Sequence, residues 1–327
     1  MHVVITGGAG FLGRRLAAAL LARPMLTDAR GAARPIAGIT LLDVAAPANL
    51  PVDQRLRVVV GDLADARVIA DAVPPDTDSL FHLAAVVSGE AEADFDLGMR
   101  VNVDATRLLL ERCRTLDAPP KVLFASSLAV FGGALPDPVP DDAPLKPQSS
   151  YGTQKAIGEL LVHDMSRKGF IDGRSLRLPT VTVRPGKPNK AASSFASGII
   201  REPLAGVDAV CPVAPATRMW VISPRTVIDN LIVGHEAPAS AFGDWRSVNV
   251  PGLCVGVGEM VDALRAVAGD EAAARVRWNY DPVIDRIVAT WPPRFATARG
   301  QALGMRADSD FEGIVRAHMQ DQARPRA

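Results

Sequence analysis

Short β-branched apolar runs alternate with longer runs of helical period through the first half of the chain. Residues 2–6, 39–43, 57–63, 79–85, 121–127 and 175–183 read as strands buried on both faces. Residues 14–21, 100–114 and 156–162 read as helices. Strand and helix in alternation predict an α/β chain with a doubly wound parallel sheet. Residues 27–38 look like an insertion between the first helix and the second strand. The proline-rich run 136–147 reads as a loop over the sheet edge. From Arg184 the alternation breaks, and residues 185–190 and 193–195 read as loop and lid. Residues 1–183 are thus expected to form one domain. Residues 184–327 mainly form a smaller region, with 219–250 partly returning to the sheet.

The first strand runs into Gly7, Gly10 and Gly13, spaced G-x-x-G-x-x-G, and then into a helix. Glycines there permit a tight turn, a close approach of backbone to a pyrophosphate, and close packing of helix on strand. Free N–H groups at the helix start would face the phosphates. This order predicts a Rossmann-type dinucleotide site that includes Phe11 and Leu12. Asp43, at the second strand end, stands where a carboxylate accepts from an adenosine ribose, which favours NAD. NADP is disfavoured, since no arginine directly follows Asp43, although Arg14 and Arg15 are near. Asp62, with Leu63, stands where an acid meets an adenine amino group. Ala84 and Ala85 let a cofactor lie against the backbone. Pro179 and Val181 complete the expected cofactor set at the sixth strand end. Ligands bind such sheets beyond the carboxyl ends of the strands, where these residues fall.

Composition narrows the class. Hydrophobic residues make up 48% of 327, enough for a real core. Lys+Arg and Asp+Glu both number 36, which argues against a dedicated nucleic-acid binder or a polybasic membrane anchor. Cys113, Cys211 and Cys254 have neither metal-ligand nor disulfide spacing, so no metal is expected, and buried thiols in a reducing cytoplasm fit. No apolar run is long enough to cross a bilayer, and the first strand leaves no room for a signal peptide. His82 lies in an apolar strand with no second ligand beside it, which favours a core role.

Tyr151 and Lys155 are four apart at the start of a helical run, hence on one face. A cation there favours phenolate and makes the tyrosine a base nearer neutral pH. That spacing alone equally describes an exposed surface pair.

Together these features resemble the extended short-chain dehydrogenase/reductase family, also described as NAD-dependent epimerases and dehydratases. The resemblance rests on Gly7, Gly10 and Gly13, on Asp43, on the run Ser126-Ser127-Leu128-Ala129-Val130-Phe131-Gly132, and on Tyr151 with Lys155. It implies Ser127 as catalytic serine, Tyr151 as base and Lys155 as its tuner and ribose ligand. It implies Ser126 beside the nicotinamide. Asn102 would order a water or backbone near Lys155, or serve its helix structurally. Dehydratases usually carry Thr and an acidic pair where this chain has Ser127-Leu128-Ala129, so dehydration is disfavoured. Residues 177–198, 223–225 and 291–295 resemble a branch that oxidises C2 of a four-carbon sugar acid with NAD.

A sugar acid needs a cation for its carboxylate, ideally a guanidinium. Arg218 is the first choice by resemblance, with Lys187 and Arg225 behind it. Ser88, Thr180 and Ser194 are placed to meet substrate hydroxyls. A nucleotide-sugar epimerase with the same Ser-Tyr-Lys set stays open, as does a dinucleotide-sensing protein. Relatives often dimerise through the helices bearing Asn102 and Tyr151, and residues 108–110 and 160–162 are apolar enough to suit a homodimer.

Overall fold

A computed structural model describes residues 1–47, 50–186 and 191–323. Seven strands form one parallel sheet. In spatial order they are Leu56–Val60, Gly38–Asp43, His2–Thr6, Thr77–His82, Lys121–Ser127, Asp172–Leu178 and Ser247–Asn249. The chain thus starts in the middle of the sheet, winds to one edge, returns to the centre and winds to the other. Val3, Val4, Ile5, Val122, Leu123 and Phe124 are fully buried, as strands covered on both faces require. On one face Leu16 and Leu20 of the helix Phe11–Leu21 pack with Val227 and Leu231 of the helix Pro224–Glu236. On the other, Leu109 and Leu110 pack with Val162 and Met165.

The sixth strand is shorter than its apolar run suggested. It ends at Leu178, and Thr180–Val181 pairs instead with Arg218–Ile222 in a separate three-stranded sheet. Pro179 has no N–H to give to a ladder, so the pairing stops there and restarts on new partners. Arg218–Ile222 also pairs antiparallel with Leu253–Gly256. This outer sheet has its own core, in which Ile199, Ile200, Val221, Met260, Leu264 and Val315 meet. The third and fourth strands likewise stop at Val60 and His82, leaving 61–63 and 83–85 outside the sheet. Residues 193–195 are not all loop: Ser194 opens the helix Ser194–Leu204. The expected insertion at 27–38 overlaps a small hairpin that begins earlier, of Met25–Thr27 and Ala33–Pro35. The helix bearing Asn102 is π-helical over Met99–Asp104 before it continues as Ala105–Arg114.

His82 is a core residue. Its Nδ1 meets Thr6 Oγ1 at 2.6 Å and its Nε2 meets Thr106 Oγ1 at 2.8 Å. Burial pushes its pKa down to about 3, so it is held neutral. Among the described residues no group of His, Cys, Asp and Glu could hold a metal ion. No described helix is long and apolar enough to cross a membrane.

Candidate active site

The strand ends open into one cavity of about 1060 Å³, bounded on the far side by the outer sheet and by residues 286–295. At one end the chain closes on itself at the glycines. Gly10 N–H donates to the Gly7 carbonyl at 3.0 Å. A Cβ on Gly13 would stand 2.2 Å from the Gly7 carbonyl oxygen, and one on Gly7, whose φ is +71°, would stand 2.9 Å from the Ala84 nitrogen. The turn is therefore tight enough that only glycine leaves the helix start open to a ligand. Asp43 Oδ2 accepts from Ala9 N–H at 2.9 Å, so the acid is fixed beside that turn. Asp62 accepts from Ala64 N–H at 2.9 Å and pairs with Arg100, both of which lower its pKa.

At the other end stands the helix Ser150–Arg167. Ser149 caps it, its Oγ accepting from Gly152 N–H at 3.1 Å. Gly152 lets it dock: a Cβ there would lie 2.1 Å from the Ala129 carbonyl oxygen. Docking brings Tyr151 over the 3-10 turn that follows Lys121–Ser127, where Ser127 is near enough to act on the phenol. Lys155 Nζ donates to the Ala125 carbonyl at 2.8 Å and lies 4.6 Å from the Phe124 ring centroid. One turn further, Glu159 is fully buried. It accepts from Ser126 Oγ at 2.5 Å and from Arg177 Nη2 at 2.8 Å. Arg177 also donates to the Asp141 carbonyl at 2.7 Å, tying the proline-rich loop to the floor.

The electrostatics differ from the expectation in one respect. Burial raises the Tyr151 pKa to about 12, against the Ser127 hydrogen bond and the Arg184 charge, which both lower it. The Lys155 ammonium is turned to Ala125 and Phe124 and lies 5.8 Å from the Tyr151 ring centroid, and burial pushes its own pKa down to about 8 against the Glu159 charge.

Gly7, Gly10, Phe11, Leu12, Gly13, Asp43, Asp62, Leu63, Ala84, Ala85, Ser126, Ser127, Tyr151, Lys155, Pro179 and Val181 all line this one cavity. So do Ser88, Thr180 and Arg218. Three expected residues do not. Asn102 lies behind the wall, where its side chain accepts from Val86 N–H at 2.8 Å and donates to Gln154 Oε1 at 2.7 Å; it holds backbone rather than ligand. Arg225 faces the C-terminal helix, donating through Nε to Asp321 Oδ1 at 3.0 Å. Ser194 sits in the first turn of its helix, outside the lining, whereas Ser193 is within it. Lys187 lies outside the described residues.

The sequence reading missed Glu159, Arg184 and Arg286. For Glu159 a signal was present, since positions 151, 155 and 159 continue one helical stripe. For the two arginines, which line the cavity, there was none, because each comes from a segment with no spacing to the catalytic helix.

The NAD-dependent epimerase/dehydratase family has a sequence model that matches residues 3–219. The chain belongs to that family. A D-erythronate dehydrogenase from Cupriavidus necator is 57% identical over 98% of this chain and 98% of its own. One from Haemophilus influenzae is 45% identical over 96% of this chain and 98% of its own. A solved structure described as a nucleoside-diphosphate-sugar epimerase from Agrobacterium tumefaciens is 44% identical. It superposes with a TM-score of 0.88, covering 98% of this chain and 94% of its own. The glycine turn, which a single added methyl would fill, and Asp43 beside it fit a bound NAD.

Proposed function

We propose that this protein oxidises the C2 hydroxyl of D-erythronate to the 2-oxo acid with NAD. The observation that carries the reading is Tyr151, Ser127 and Lys155 meeting at the inner end of a dinucleotide-sized cavity, in a chain 57% identical to a D-erythronate dehydrogenase. The hydroxyl proton passes to Tyr151, and Ser127 holds the oxygen that loses it. Bound NAD supplies the hydride acceptor and a positive ring. The Lys155 ammonium, held by Ala125 and kept charged by Glu159, is in place to bind a ribose hydroxyl.

A phenol at about 12 is a poor base at neutral pH, so Tyr151 needs added positive charge when the site is loaded. Activity is therefore expected to rise with pH along a limb that lies well below 12. Preference for NAD over NADP follows from Asp43, and from Arg15 being engaged with Asp321 at 2.6 Å rather than open to a 2′-phosphate. We read the protein as a cytoplasmic homodimer. Leu160 supports the dimer, because it is 53% exposed on the helix that carries Tyr151.

The test is a panel of four- to six-carbon sugar acids with NAD or NADP, followed by absorbance of the reduced cofactor. D-Erythronate with NAD should give the highest kcat/KM. The relative described as a nucleoside-diphosphate-sugar epimerase favours a second reading. Silence from every acid, with a nucleotide sugar isomerised and no net NADH, would establish that one instead.

A further inference from the structure

Two neighbouring residues at the end of the strand Lys121–Ser127 meet two positions of one helical stripe. The Ala125 carbonyl accepts from Lys155 Nζ at 2.8 Å, and Ser126 Oγ donates to Glu159 Oε1 at 2.5 Å. Positions 155 and 159 are one turn apart on the helix Ser150–Arg167, so both side chains reach the same strand end. Ser126 and Lys155 line the cavity, whereas Glu159 stands behind them. Its carboxylate meets the site through the Ser126 hydroxyl.

That carboxylate is fixed in place. Glu159 is fully buried, as is Arg177, whose Nε donates to Glu159 Oε1 at 2.9 Å and whose Nη2 donates to Oε2 at 2.8 Å. A forked pair of this kind sets the plane of the carboxylate as well as its position. Arg177 is pinned in turn, by the Asp141 carbonyl at 2.7 Å and by the Phe131 ring, whose centroid lies 4.7 Å from the guanidinium carbon. A serine hydroxyl has one hydrogen and two lone pairs. Here the hydrogen is committed to Glu159, an ion-paired carboxylate that can only accept. A group that meets Ser126 Oγ from the cavity therefore finds an acceptor. Lys155 commits one ammonium hydrogen to Ala125 and keeps two. The floor thus offers an acceptor at Ser126 and donors at Lys155.

We infer that Glu159 is a positioning residue for the proposed oxidation: by holding the Ser126 hydrogen it makes Ser126 an acceptor for an N–H or O–H donor of the bound dinucleotide. The inference rests on the NAD-dependent reading above. Without a fixed acceptor behind it, the Ser126 hydroxyl is free to turn its hydrogen into the cavity, where it would oppose that donor.

The experiment is a double-mutant cycle on NADH affinity, read by fluorescence titration, with Ser126→Ala, Glu159→Asp and the double variant. Glu159→Asp keeps the charge that faces Arg177 and withdraws the oxygens from Ser126 by one methylene; Glu159→Gln replaces it where it fails to fold. Each single variant should weaken NADH binding about tenfold, as for a buried group left without its partner. The double variant should bind no more than about threefold more weakly than the weaker single, because both changes remove the same contact. Ser126→Ala leaves the Glu159–Arg177 pair whole, so its melting temperature should stay within about 3 °C of wild type. In both single variants kcat with D-erythronate should fall alongside the affinity. Two outcomes overturn the inference: either single variant within about twofold of wild type in NADH affinity, or single losses that multiply to about 100-fold in the double variant, the mark of a residue that only supports the fold. A coupled cycle in a chain that oxidises no sugar acid removes the sugar-acid reading and leaves this inference standing. An uncoupled cycle in a chain that oxidises D-erythronate removes this inference alone.

Discussion

The two ends of the cavity are built by different means. At the cofactor end the surface is backbone and small residues, and Gly7 against Ala84 and Gly13 against Gly7 leave no room for one more carbon. At the substrate end it is long side chains from segments far apart in sequence: Thr180, Arg184, Arg218, Trp220, Arg286 and Phe295. A backbone surface binds what every dinucleotide has in common, while a side-chain surface can be changed one residue at a time. Tyr151 stands between them, on a helix whose docking depends on Gly152 against Ala129, a contact of the first kind. The helix that places Tyr151 is thus seated by the same means that build the cofactor end.

The sharpest way to break that comparison is at the junction. Tyr151→Phe should lower kcat by about 10³-fold, as loss of a positioned base does, with NADH affinity held; near-normal turnover would remove Tyr151 as the base. Beneath it, Glu159→Gln leaves the fully buried Arg177 without its counter-ion. Thermal or urea unfolding should report a loss of about 3–5 kcal/mol. A change below 1 kcal/mol would show that the floor is not held by this pair. At the cofactor end, Gly13→Ala should weaken NADH binding by about 10- to 100-fold, because the turn must open to admit the methyl. Equilibrium titration measures it, and an unchanged affinity would mean the turn is more pliant than its 2.2 Å clearance implies.

The smallest effect is on pH. His82 and His235 are buried neutral, with pKa values pushed down to about 3 and about 4. Below the unfolded value of 6.5 the unfolded chain therefore binds protons that the folded chain does not, and stability falls as pH falls. The melting temperature should drop by several degrees between pH 7 and pH 5. His82→Gln should flatten part of that slope.

The sheet was legible because a strand covered on both faces needs an unbroken apolar run, and six such runs stand in the first 183 residues. The run that misled was 175–183: apolar character continues through Val183 while the hydrogen-bond partners change at Pro179. Periodicity records burial, and burial is the same in either sheet. Ser194 misled for a related reason, since a serine-rich stretch suits both a loop and a helix start. That Ser127, Tyr151 and Lys155 would line one cavity was legible through motif order. The place of Arg184 in the cavity lining was not, because Thr180–Val181 comes there by pairing with Arg218–Ile222, a contact between segments about 40 residues apart that local pattern does not encode. The orientation of Lys155 was hidden too: sequence places it on the tyrosine's face, and only packing turns its amine to the Ala125 carbonyl.

Pro179 has a consequence for how such enzymes diversify. One residue with no N–H to donate separates the strand of the central sheet from the strand that begins the outer sheet. Changes outboard of that point can reshape the set of accepted molecules while the central sheet, and the proposed proton-transfer residues at its edge, stay in register. A descendant can therefore keep its reaction and exchange its diet.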